Sequence, residues 1–132
     1  MTSPAAQKAA RTPQEMHGVF KQYLEAGDLD GIMSLYEEDA TMVTANGPVT
    51  GLAAVRENLA PFFALKAKID FQPALVAQSG DIALVHAAWD GIGTSPEGPV
   101  SFSGITAEVV RKQADGTWKY IIDNPGMGLS QA

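Results

Sequence analysis

The sequence predicts an α+β domain: about three N-terminal helices packed on one face of a curved, mainly antiparallel sheet that encloses a pocket. Two observations carry this. Through residue 65 the apolar residues recur mainly at helical spacing, and from Ile69 onward they follow a period of two broken by turn signals. Helices come first and long hairpins last, the order that places helices on one face of an antiparallel sheet.

The first helix starts at TPQE, where Thr12 is placed to cap, Pro13 suits the first helical position and Glu15 completes a capping box. Met16, Val19, Phe20, Tyr23 and Leu24 form its apolar stripe, and Gly27 ends it. Asp28 then caps a short second helix with Leu29, Ile32, Met33 and Tyr36 on its buried side. The acids Glu37, Glu38 and Asp39 read as the solvated end of that helix, followed by a short strand over 40–44 and a turn at NGP, 46–48. Thr50 is a candidate cap for a third helix that buries Leu52, Val55, Leu59, Phe62 and Phe63, with Pro61 kinking or shortening it. Four strands follow, over 69–78, 81–93, 100–112 and 117–123, joined at SG, SPEGP and ADG. The domain is expected over 12–128, between tails at 1–11 and 129–132.

Composition excludes several functions. Nine Lys and Arg against fifteen Asp and Glu give a formal charge of -6, which repels nucleic acid and anionic lipid. Cysteine is absent, so neither disulfides nor thiolate chemistry is available, which fits a cytoplasmic location. Residues 1–11 lack the apolar core of a signal peptide, and no apolar run reaches the roughly 20 residues that span a bilayer. No cofactor or metal is expected. GIGTS lacks the last glycine of a dinucleotide loop, no GxSxG elbow occurs, and His17 and His86 stand 69 positions apart.

Turn positions give an estimate of which side chains share a face. With Ser79 and Gly80 as the central turn residues, His86 opposes Pro73 and the even positions of strand 81–93 join Ile69 and Phe71 on the interior. With the next turn centred on Glu97, His86 falls opposite Glu108 and Asp90 lies near Gly104. In the last hairpin, one choice of turn places Asp123 beside Glu108 and a one-residue slip places it outside. The opposite face would carry Val85, Ala87, Trp89, Ile105, Ala107 and Val109, an apolar surface that a two-fold homodimer would cover.

AGDLDGIMSLYEEDATM, the TG at 50 and 51 and the closing DGTWKYIIDNP resemble the SnoaL-like and ketosteroid isomerase-like group of the nuclear transport factor 2-like, cystatin-like superfamily, in bacterial members. The resemblance covers about Thr12 to Pro125 and implies a cone-shaped fold with a small-molecule pocket. It points Thr106 and Glu108 inward and favours Asp123 there. Laid on the steroid isomerases, it puts Phe20 at their tyrosine, Thr44 at their base and Thr106 at their acid. Phenylalanine donates no proton and a threonine hydroxyl is too weak a base, so that mechanism is not expected here.

The expected site is therefore His86, Glu108 and Asp123 performing acid-base chemistry on a small, largely apolar ligand. Its pocket would be lined by Phe20, Tyr36, Met42, Thr44, Phe62, Phe63, Phe71, Asp90 and Thr106. Isomerisation, cyclisation, elimination and hydrolysis are all open, and so is a binding or dimerisation module without chemistry. His86 is alternatively a core imidazole, and Glu108 and Asp123 alternatively pair with Lys119 or Arg111. His17, on the polar side of the first helix, reads as surface.

Overall fold

In the computed structural model, which describes residues 8–126, Gly27 at φ 70 ends the first helix and Asp28 starts the second, accepting from the Gly31 N–H at 2.8 Å. Helix α1 spans Met16–Glu25 after a 3-10 turn at Pro13–Glu15, α2 spans Leu29–Met33 and α3 spans Leu52–Ala64, running through Pro61. Two expected caps are replaced. Thr12 makes no side-chain cap, and Glu15 accepts instead from the Arg11 N–H at 2.7 Å. Gly51, at φ 103, holds the cap position of α3, while the Thr50 hydroxyl lies 2.8 Å from that of Thr41.

Seven strands form one sheet: β1 Tyr36–Thr44, β2 Gly47–Thr50, β3 Lys68–Ser79, β4 Ile82–Ser95, β5 Gly98–Ile105, β6 Ala107–Lys112 and β7 Trp118–Asn124. Their order is β2-β1-β7-β6-β4-β3, with β5 also on β4, and β1 runs parallel to β7. The three helices cover the concave face, giving the α+β cone fold. The expected strand 100–112 breaks at Thr106. There the Thr106 N–H donates to the Ala87 carbonyl, and the Ala87 N–H donates to the Thr106 hydroxyl, each at 2.8 Å.

The strand at Tyr36 corrects the reading of the three acids. They do not end a helix; they lie inside β1, which starts four residues early because Tyr36 pairs with Tyr120 and the Tyr120 N–H donates to the Leu35 carbonyl. Glu37 points outward and takes a two-pronged contact from Arg111 at 2.9 and 3.1 Å, so Arg111 is not the partner of Glu108 or Asp123. Ala10, expected in a loose tail, is buried and bridges Trp118, whose N–H donates to its carbonyl. Residues 1–7 and 127–132, which include the expected C-terminal tail, lie outside the described residues.

The faces of β4 are the reverse of the expectation. The β3–β4 turn pairs Ser79 with Ile82, so Gly80 and Asp81 are its central residues, and the ladder shifts again between Leu75 and Ala77. The result is Ala74 opposite His86 and Phe71 opposite Trp89. Because side chains alternate, the extra β3 residue between Leu75 and Ala77 carries Val85, Ala87 and Trp89 inside, where they are buried, and leaves His86 and Asp90 on the outer face. The first three therefore cannot form the outer apolar surface. It is built by Leu84, Ala88 and Ile92 with Ile105, Ala107, Val109 and Ile122.

Close packing of the helical layer shows at Gly31, where an added Cβ would stand 2.2 Å from the ring of buried Tyr23. Gly31→Ala is expected to lose roughly 1–3 kcal/mol of stability in urea denaturation. Unchanged stability would mean that the Tyr23 ring has free space to move into.

Candidate functional site

Between α1, α3 and the concave face lies a cavity of about 500 Å³. Its walls are mostly apolar, from Phe20, Leu59, Phe62, Phe63, Phe71 and Trp89, and its polar side chains gather where β6, β7 and α1 meet. Glu108 and Asp123 are direct cross-strand partners on β6 and β7, both buried. His17 reaches them from α1: its Nε2 lies 3.0 Å from Glu108 Oε2. The Thr106 hydroxyl, two residues before Glu108 and on the same inward face, donates to Glu108 Oε1 at 2.7 Å. Behind the wall, the Tyr36 hydroxyl donates to Asp123 Oδ2 at 2.5 Å, and the Tyr36 and Tyr120 ring centres lie 4.9 Å apart, tilted by 38°. His17 Nδ1 is buried and has no hydrogen-bond partner among the described residues.

Burying two carboxyl groups side by side sets the electrostatics. Burial, and then the charge of Glu108, push the Asp123 carboxyl up to about 7, against the smaller opposing pulls of the Tyr36 hydrogen bond and of His17. Tyr36 and Tyr120 are pushed well above the ordinary phenol range, first by burial and then by the acids, so both remain O–H donors. The Tyr120 hydroxyl lines the cavity and has no hydrogen-bond partner among the described residues. The site thus offers one carboxyl that gains and loses a proton near neutrality and one phenol free to donate. Among the described residues, no group of three or more His, Asp or Glu is placed to hold a metal ion.

Most sequence-predicted positions meet here. Glu108, Asp123, Phe20, Met42, Thr44, Phe62, Phe63, Phe71 and Thr106 all line the cavity, and Tyr36 supports it from behind. His86 and Asp90 do not: His86 is half-buried on the outer face, and Asp90 is exposed there opposite Asp70 and Ser103. Their place is taken by His17, expected at the surface but buried, with its ring 5.1 Å from that of Phe71. The signal for it was in the spacing. His17, Phe20 and Leu24 stand at i, i+3 and i+7 and share a helix face, and all three line the cavity.

The family model for the SnoaL-like domain matches residues 18–121. The chain belongs to the SnoaL-like domain family. The SnoaL-like fold recurs in solved structures. A candidate aromatic ring hydroxylase of Novosphingobium aromaticivorans superposes with a TM-score of 0.74 at 22% identity, over 87% of this chain and 85% of that one. A ketosteroid isomerase-like protein of Erwinia carotovora atroseptica gives 0.73 at 16% identity, over 89% and 98%. The CaMKII hub of S. rosetta gives 0.70 at 21% identity, over 97% and 99%. At such identities the shared property is the fold, and chemistry has to be argued from the site.

For this SnoaL-like domain the raised Asp123 carboxyl predicts a stability profile. Between the ordinary carboxylate range near pH 4 and about pH 7, the folded chain keeps a proton that the unfolded chain has released. Stability from this group is therefore full below about pH 4, falls as pH rises through 7, and changes no further above it. Asp123→Asn removes the charge, so the variant-minus-wild-type unfolding free energy should rise by on the order of 2–3 kcal/mol from pH 5 to pH 8. Urea titrations at both pH values measure it.

Proposed function

We propose that this SnoaL-like protein catalyses proton transfer on an uncharged, largely apolar small molecule, isomerising it or eliminating water, with Asp123 as the group that moves the proton. The carrying observation is a carboxyl near pKa 7 at the polar end of a mainly apolar cavity, directly across from a second buried acid. Such a carboxyl suits proton abstraction beside a carbonyl. It is a stronger base than an exposed aspartate, and taking up the proton relieves both its burial and its repulsion from Glu108. Glu108, gripped by His17 and Thr106, supplies that repulsion and excludes anionic substrates. Tyr120 is positioned in the wall as a donor to the oxygen that becomes enolate-like, in a cavity whose dry walls strengthen the contact. The ketosteroid isomerase-like neighbour fits an isomerase reading on this fold.

A second, compatible role is assembly. The outer face exposes Ile92 at 61% and Ile105 at 54%, with Leu84 and Ile122 beside them, and the CaMKII hub neighbour supports packing between copies on this fold. We read this face as the contact of a homodimer, and a cytoplasmic location is part of the same reading. No helix among the described residues is long and apolar enough to cross a membrane.

Deuterium exchange tests the chemistry directly. In heavy water, with a panel of uncharged cyclic and aryl ketones, the protein should catalyse label uptake next to the carbonyl of those it binds. The rate should rise with pH through about 7, and Asp123→Asn should lose on the order of 10²–10⁴-fold. Ligands that bind and exchange equally fast with the Asn variant would leave a binding module as the remaining description. For the assembly, light scattering should give a dimer that Ile105→Glu converts to a monomer with the fold retained. A monomeric wild type would discard this interface.

A further inference from the structure

The buried acid pair has four carboxyl oxygens, and three of them already accept a hydrogen bond: Glu108 Oε1 from Thr106, Glu108 Oε2 from His17 and Asp123 Oδ2 from Tyr36. Oδ1 of Asp123 has no partner among the described residues, yet it is not among the sealed unpaired atoms, so it opens to the cavity that Asp123 lines. We propose that Tyr36 is a positioning residue that, by occupying Oδ2, dedicates Oδ1 of Asp123 to proton transfer. This rests on the reading of Asp123 as the proton-moving group and assigns that step to one atom.

Tyr36 can do this because of how β1 meets β7. Tyr36 pairs with Tyr120, but five positions later Thr41 pairs with Ile122, only two positions along β7. The extra β1 residues bulge, and the Tyr36 ring lies over Tyr120 and reaches forward to Asp123. The tyrosine is almost fully buried, with its hydroxyl pointed at Oδ2. If the acid proton sat on Oδ2, the tyrosine would have to accept it, and its own hydrogen would be left in the core without the acceptor it now has. With the proton on Oδ1, Tyr36 keeps donating to Oδ2 in both charge states. A carbon-bound proton taken by the carboxylate then ends on Oδ1, with its C–H electron pair left on the substrate. The same oxygen returns the proton at the new position, so no other reactant is needed. Thr106 and His17 occupy both oxygens of Glu108, which leaves Oδ1 of Asp123 as the open oxygen of the pair.

The test needs no substrate. Carbon-13 NMR of labelled aspartate, assigned with Asp123→Asn, should show Asp123 titrating near 7 in the wild type. In Tyr36→Phe the midpoint should rise by roughly one pH unit, because the carboxylate loses a charge-assisted hydrogen bond. At pH 5 the infrared C=O band of the protonated acid should move to higher frequency in the same variant, since its carbonyl oxygen, Oδ2, is the one released. Should Tyr36→Phe not fold, 3,5-difluorotyrosine at position 36, a stronger donor of nearly the same shape, should lower the midpoint. A midpoint and C=O band that ignore both changes would overturn the role of Tyr36 while leaving Asp123 as the proton carrier. A wild-type Asp123 titrating in the ordinary carboxylate range would instead overturn the acid-base reading on which the role depends.

Discussion

Two carboxyl groups facing each other across β6 and β7, inside the cone, are the costliest feature of this chain, and much of the neighbouring structure can be understood as accommodating them. Like charges directly opposite on one sheet face repel even in water, and burial removes the solvent that would screen them. The structure treats the two acids differently. Glu108 is wrapped by donors from two directions, the Thr106 hydroxyl and the His17 imidazole, which hold both of its oxygens. Asp123 receives one donor, Tyr36, and is left with its proton affinity raised to about 7. Unequal hydrogen bonding of two neighbouring acids is how a site sets one of them apart as the proton carrier.

Each accommodation depends on a local departure from regular structure. The break at Thr106 leaves the Ala87 N–H without a ladder partner, and the Thr106 hydroxyl, inward by simple alternation with Glu108, accepts that N–H while donating to Glu108. A further irregularity lies between Val109 and Val110, opposite Ile121, and on either side of it Glu108 and Tyr120 both remain on the concave face. The fold therefore positions the site through irregularities that strand propensity alone does not forecast.

This explains what the sequence disclosed and what it withheld. The helices, the meander of the long strands after Ile69 and the inward placement of Glu108 and Asp123 follow from periodicity, turn residues and the family resemblance, whereas β2 and the parallel pairing of β1 with β7 do not. The facing of β4 does not. Its odd positions include Ala83, Val85, Ala87 and Trp89, and its even positions include Leu84, Ala88 and Ile92, so both faces are apolar and polarity cannot choose between them. Only the register can decide, and the extra β3 residue between Leu75 and Ala77, rather than the one-residue move of the turn, sets Phe71 against Trp89 and exchanges His86 for its neighbours. His17 was hidden for the converse reason. A single histidine on a helix reads as surface by its polarity, although its spacing to Phe20 and Leu24 places it on the cavity side.

The three acids after Tyr36 acquire a meaning from the same geometry. Along β1 the side chains alternate, so that Tyr36 turns inward to Asp123 while Glu37 turns outward to Arg111 and to the Gln113 amide at 2.8 Å. Arg111, ahead of the amide, holds the Glu37 carboxyl below its ordinary range. A partly exposed pair of this kind adds little stability. Its value is geometric: it ties the first residues of β1 to the end of β6, whose other end carries Glu108. With Tyr36 next to Glu37, fixing the outward carboxylate limits how far the inward phenol can drift from Asp123. The acidic stretch thus lies outside the cavity and bears on its chemistry through the strand it anchors.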